Sequence, residues 1–152
     1  SYDKNARLNY FVGRSFYDSN FKHKNPDVSK DVVGFEMMVN WDLPIVICEG
    51  VFDAIAVRMN SIPLFGKSPQ SELQKKIISK GVKSVYLALD SDAFKNSLRF
   101  AESLMNNGVG VHIVELKDSD PSDMGFKTIN EKIKNTELLS LRKLMEYKLL
   151  GV

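Results

Sequence analysis

The sequence predicts an α/β domain: a mostly parallel central sheet flanked by helices, preceded by a small basic β-hairpin segment. Three observations carry this. Continuous apolar runs at 44–48 and 84–89 read as strands buried on both faces. Each is followed by apolar residues at helical spacing, and Gly81 and Gly108 sit where helices should stop. Strands alternating with helices imply parallel pairing through right-handed crossovers.

Taken in order, residues 1–42 differ from the rest. Tyr10, Phe11, Phe16, Tyr17 and Phe21 are interleaved with Arg7, Arg14, Lys22 and Lys24. The stretch 10–17 reads as a strand, 18–20 as a turn, and 21–24 as the return of a hairpin. Asn25-Pro26-Asp27 breaks the pattern, and a short helical or irregular piece is expected to residue 40. A strand at 44–48 ends in Glu49-Gly50, and a helix follows over 51–59. Ile62-Pro63-Leu64-Phe65 is a short strand closed by Gly66. An amphipathic helix over 71–80 precedes the strand 84–89, which ends at Asp90. A helix over 98–107 precedes a strand at 110–116 and an acidic loop at 118–123. Two helices are expected at 126–134 and 137–150. The expected division is a basic N-terminal segment at 1–42, the α/β domain at 43–134 and a C-terminal helix at 135–152.

Composition bounds the function. The chain has 152 residues and is 43% hydrophobic, enough for one domain with a proper core. The formal charge of +2 says nothing by itself about nucleic acid, because partners meet patches and not sums. The single cysteine, Cys48, excludes an internal disulfide framework and a cysteine-based zinc module. His23 and His112 lack paired ligand spacing. No run reaches membrane-spanning length and no signal peptide is visible, so a cytoplasmic protein is expected. The first residue is not Met, and a piece of a longer chain is expected.

The informative residues are acids. Glu49 follows one strand, Asp90-Ser91-Asp92 another, and Asp118, Asp120 and Asp123 a third. In parallel neighbours these converge on the carboxyl edge of the sheet, where functional groups gather. Asp90 and Asp92 point the same way in extended backbone. Clustered carboxylates repel unless a cation neutralises them, and hard oxygen donors suit Mg²⁺ or Mn²⁺. Several of these acids have a plainer reading taken singly, whereas Asp90, at the end of an apolar strand, favours metal binding. Asp92 fits a helix cap, Asp53 a first-turn partner of the helix dipole, and Asp120 and Asp123 a solvated loop.

Glu49-Gly50-Val51-Phe52-Asp53-Ala54 after an apolar strand, then Asp90-Ser91-Asp92, then Lys117-Asp118-Ser119-Asp120-Pro121-Ser122-Asp123, resembles a toprim domain. Pro63-Leu64-Phe65-Gly66-Lys67 is similar to the corresponding segment of DnaG-type DNA primases. Gly13-Arg14-Ser15-Phe16-Tyr17-Asp18, with Lys22-His23-Lys24-Asn25-Pro26, resembles the basic segment that precedes toprim in bacterial and phage primases. The resemblance covers roughly residues 8–125. It departs from cellular primases at Ala93-Phe94-Lys95-Asn96, where glycine is usual, and looks phage-like there. No zinc module, helicase or P-loop pattern is present in the sequence.

The resemblance implies the catalytic core of a DNA primase, which makes short RNA primers on single-stranded DNA from ribonucleoside triphosphates. Asp90 and Asp92 would be the principal Mg²⁺ or Mn²⁺ ligands, with Asp120 assisting and Asp53 a second-tier ligand. Glu49 would be a ligand or general base. Arg14, Lys22, Lys24 and Lys67 would contact template or nucleotide phosphates. A replicative helicase would be a partner through regions outside this chain. The nearest rival is a toprim-type metal-dependent nuclease. A haloacid-dehalogenase-type phosphatase would leave Glu49-Gly50 without a role, and a binding module without catalysis would survive loss of Asp90.

Overall fold

In a computed structural model, residues 1–17, 23–66, 71–90, 94–116 and 119–150 are described. The chain builds a two-stranded antiparallel hairpin, β1 (Gly13–Arg14) with β2 (His23–Lys24), and a four-stranded parallel sheet. The sheet comprises β3 (Ile45–Cys48), β4 (Ser61–Pro63), β5 (Ser84–Ala88) and β6 (Gly110–Ile113), in the order β4-β3-β5-β6. Helices α1 (Val51–Val57), α2 (Ser71–Ser79), α3 (Phe94–Asn106), α4 (Pro121–Lys134) and α5 (Leu141–Leu150) complete it. A short 3₁₀ turn covers Glu36–Met38.

Alternation along the central strands divides the core in two. Ile45 and Ile47 of β3, with Val85 and Leu87 of β5, face α2, α3 and α5. Val46, Cys48 and Ala88 face α1 and α4. Both faces are covered, which is why β3 is apolar at every position. Tyr86 and His112, paired across β5 and β6, stack at 4.2 Å, and His112 Nδ1 donates to the Thr136 carbonyl. That histidine is accounted for by packing.

The glycine stops are where the sequence placed them. Gly81 and Gly108 adopt φ of 66° and 79°, the left-handed region that suits glycine. In each, two reverse bonds close the helix: Val82 N–H to Ile77 O and Gly81 N–H to Ile78 O, then Val109 N–H to Leu104 O and Gly108 N–H to Met105 O. Gly125, at φ 73°, breaks α4 after its first turn, so the regular part begins at Phe126.

Several bounds differ from expectation. The hairpin strands are two residues long instead of spanning 10–17. Tyr10 has left that strand for the core, where it packs on Phe65 with ring centroids 4.6 Å apart. The last helix starts at Leu141 and not at 137, because Leu139 N–H donates to Val111 O and holds the preceding segment extended beside β6. Helix α1 ends at Val57, capped by Arg58 in the left-handed region, a turn with no glycine to announce it.

The N-terminal segment is pinned to the sheet edge. Gly34 lies so close to β4 that an added Cβ would sit 2.3 Å from the Pro63 carbonyl oxygen. Asp31 accepts the Ser71 hydroxyl and the Glu72 N–H, capping α2 from a distant part of the chain. Buried Glu36 pairs with Lys76 of α2.

Candidate active site

The strand order fixes where a site should form. From β3 the chain crosses to β4 on one side, then returns to lay β5 on the other side of β3. The crevice beyond the carboxyl ends of β3 and β5 is therefore the topological switch point, the usual ligand position in open parallel sheets. Cys48 and Ala88 are register partners at the last turn of this pair. Glu49 directly follows the first and Asp90 stands two residues beyond the second, so both acids leave neighbouring strand ends. Glu49 is half-buried, with its Oε2 shielded from solvent, and Asp90 is half-buried too.

The Cys48 thiol reports the local field. Burial pushes its pKa up, and the negative charges of Asp53 and Asp90 push it further. The thiol is fully buried in the core between the sheet and the helices α1 and α4. What remains at this edge is a set of hard oxygen donors.

Asp53 occupies the third position of α1. Its Oδ2 accepts the Gly50 N–H at 3.2 Å and its Oδ1 accepts the Ser122 N–H at 3.1 Å. One carboxylate thus caps α1 and ties it to the first turn of α4. Gly50 is required beside it, since a Cβ there would lie 2.6 Å from Asp53 Oδ2. Asp120 is the N-cap residue of α4, exposed, with its side chain making no cap bond, and Pro121 follows at the first helical position.

A cleft of about 790 Å³ runs between this edge and the hairpin. Glu49, Asp53 and Asp120 line one wall, and Arg14 and Ser15 the other. The hairpin thus brings a cation across from the acids. Asp90 is on the adjacent strand end and is not part of that wall. Lys24 is exposed on β2 opposite Gly13, next to Arg14 in the ladder. Asp92, Lys22 and Lys67 lie outside the described residues. Among the described residues no three acids, histidines or cysteines stand close enough to enclose a metal ion. The donors present fit a divalent cation of the Mg²⁺ or Mn²⁺ type, which keeps waters and takes phosphate oxygens as further ligands. They do not fit a soft metal that needs thiolate.

Solved structures with the same architecture come from primases. The Aquifex aeolicus primase, comprising zinc-binding and RNA polymerase domains, superposes with a TM-score of 0.75 at 21% identity, covering 97% of this chain and 43% of that one. The Escherichia coli primase catalytic core gives 0.75 at 16% identity, covering 99% and 54%. The fold is that of a primase catalytic core. A DNA primase domain from Pseudomonas aeruginosa agrees, with a TM-score of 0.73 at 24% identity over 99% of this chain and 52% of that one. The parallel sheet flanked by helices is the toprim-type architecture expected from the motifs. In sequence, the chain is 31% identical over 101 residues to an uncharacterized protein of Mycoplasma genitalium, covering 62% of this chain and 46% of that protein. It therefore spans about half the length of the relatives it matches. No protein-family model matches the chain. Among the described residues, no helix is long and apolar enough to cross a membrane.

The sequence reading missed one feature of the site: Asp53 Oδ1 reaches α4 across 69 residues of chain. The Asp53 spacing after Gly50 hints at the cap on α1, but nothing local announces the second bond.

Proposed function

We propose that this chain is the catalytic core of a DNA primase, making short RNA primers on single-stranded DNA by metal-dependent nucleotidyl transfer. The observation that carries the reading is the placement of Glu49 and Asp90 at neighbouring strand ends of the switch point, beside a cleft whose opposite wall presents Arg14. A fold alone does not specify chemistry, so the residues of the site bear the weight.

In the proposed reaction the 3′-hydroxyl of one nucleotide attacks the α-phosphorus of the next. The bond to the leaving pyrophosphate breaks as the new phosphodiester forms. A divalent cation such as Mg²⁺ or Mn²⁺, when bound, would supply Lewis-acid chemistry, favouring ionisation of the attacking hydroxyl and offsetting charge on the triphosphate. Asp90 and Asp92 would hold that ion with Asp120 assisting, and Glu49 would serve as ligand or as the general base that takes the hydroxyl proton. Asp53, a second-tier ligand, also fixes the first turn of α4 through Ser122 and so steadies Asp120. Arg14 and Lys24, with Lys22 and Lys67, hold phosphates of template or nucleotide, a contribution that weakens as salt rises. The basic hairpin is what separates this reading from a toprim nuclease. The wider replication partners, a helicase among them, would be reached through regions outside this chain.

The test is direct. The protein is incubated with single-stranded DNA, labelled ribonucleotides and Mg²⁺ or Mn²⁺. New labelled oligoribonucleotides support primer synthesis. Shortened DNA without new RNA overturns it in favour of the nuclease.

A further inference from the structure

Two exposed phenylalanines stand outside both core clusters of the described residues. Phe16, just beyond β1, is fully exposed at 100%, and Phe52, in the first turn of α1, is 60% exposed. Scattered surface apolar residues need no explanation, but these two come from separate elements and line the same cleft. Arg14 lies two residues before Phe16, and Asp53 directly follows Phe52. The cleft therefore offers an aromatic ring from the hairpin, another from the helix, a guanidinium for phosphate and the acids along one wall. A flat, apolar-faced group joined to a phosphate matches that combination. Aliphatic or purely anionic ligands would leave one half of it unused.

We propose that Phe16 and Phe52 are base-stacking residues, which hold a nucleobase of single-stranded nucleic acid in the cleft while Arg14 holds its phosphate. This rests on the nucleic-acid reading given above and adds the recognition of the base itself. Stacking on an aromatic face tolerates any base, because every base has a π-face. It therefore supplies affinity without sequence preference.

The experiment compares binding of a short oligothymidylate with binding of an abasic oligomer having the same number of phosphates. Fluorescence anisotropy is read on the full chain at one salt concentration. The wild type is expected to bind the thymidylate about tenfold more tightly than the abasic strand. The Phe16→Ala/Phe52→Ala variant loses that preference and keeps its affinity for the abasic strand. Phe16→Tyr/Phe52→Tyr retains the preference. Both side chains are exposed, so these variants should fold, and circular dichroism checks it. Equal wild-type affinity for the two strands overturns the stacking proposal alone and leaves phosphate binding standing. A preference that survives in the double alanine variant also overturns it. Failure of the wild type to bind either strand overturns this proposal together with the nucleic-acid reading beneath it.

Discussion

Replacing Gly50 with alanine tests the most specific contact at the site. Gly50 has φ −103° and ψ 161°, extended backbone that alanine adopts without strain. On backbone grounds alone, Gly50→Ala should stabilise by about 0.5 kcal/mol, through the loss of freedom in the unfolded chain. The structure predicts the opposite sign. A Cβ at this position would lie 2.6 Å from Asp53 Oδ2, so the carboxylate must swing away. It would then lose the bonds from Gly50 N–H at 3.2 Å and Ser122 N–H at 3.1 Å. Hydrogen bonds to a charged acceptor contribute about 1.5–3 kcal/mol, and these long, partly solvated ones about 1 kcal/mol each. The net cost is about 1.5 kcal/mol, or a fall in Tm of about 3–6 °C for a chain of this size. Urea denaturation measures it, and a double-mutant cycle with Asp53→Ala isolates the cause. In the Asp53→Ala background the clash is gone, so Gly50→Ala should turn neutral or stabilise by about 0.5 kcal/mol. The same loss in both backgrounds would refute the reasoning.

Other outcomes follow from the packing of the N-terminal segment. Gly34→Ala places a methyl 2.3 Å from the Pro63 carbonyl oxygen and 2.8 Å from its ring, and rigid backbone cannot yield. Thermal melts should show a loss of about 2–3 kcal/mol, with earlier proteolysis before residue 40. Lys76→Met strands the Glu36 carboxylate, which is only 7% exposed, and should cost about 2–3 kcal/mol in urea; Lys76→Met/Glu36→Leu should recover most of it. Asp31→Ala should cost about 1 kcal/mol at neutral pH by uncapping α2. The Ser71 hydroxyl and then the Glu72 N–H hold the Asp31 carboxyl below the usual carboxylate range. A depressed pKa stabilises the fold above the unfolded carboxylate's pKa, and that gain fades as pH falls through the folded value. The gap between wild type and Asp31→Ala should therefore narrow in acid.

Residues whose role is set by neighbours in sequence were legible, and those set by distant partners were not. The strand β3 announces itself because burial at every position demands an unbroken apolar run, and β5 is apolar from Val85 onward. Gly81 and Gly108 mark helix ends because only glycine takes that backbone cheaply. The convergence of Glu49 and Asp90 follows from strand register once parallel pairing is granted. By contrast, Asp31 caps a helix 40 residues away, and Glu36 finds Lys76 across the same separation. The start of α5 moved to Leu141 because the Leu139 N–H is claimed by β6. Asp53 reads in sequence as a first-turn acid of α1, and nothing local announces that its second oxygen accepts the Ser122 N–H. Tyr10 reads as a hairpin residue, yet its ring is taken into the core against Phe65.

The central claim is that Asp90 and Asp92, which follow β5 in the sequence, are the principal metal ligands of a nucleotidyl transferase. The most direct measurement is the anomalous scattering of Mn²⁺ in crystals soaked with a ribonucleoside triphosphate. The account predicts a Mn²⁺ peak bridging the triphosphate and the carboxylates of Asp90 and Asp92, absent from Asp90→Asn crystals of the same form. A peak held only by other acids, or one unchanged in Asp90→Asn, would contradict it.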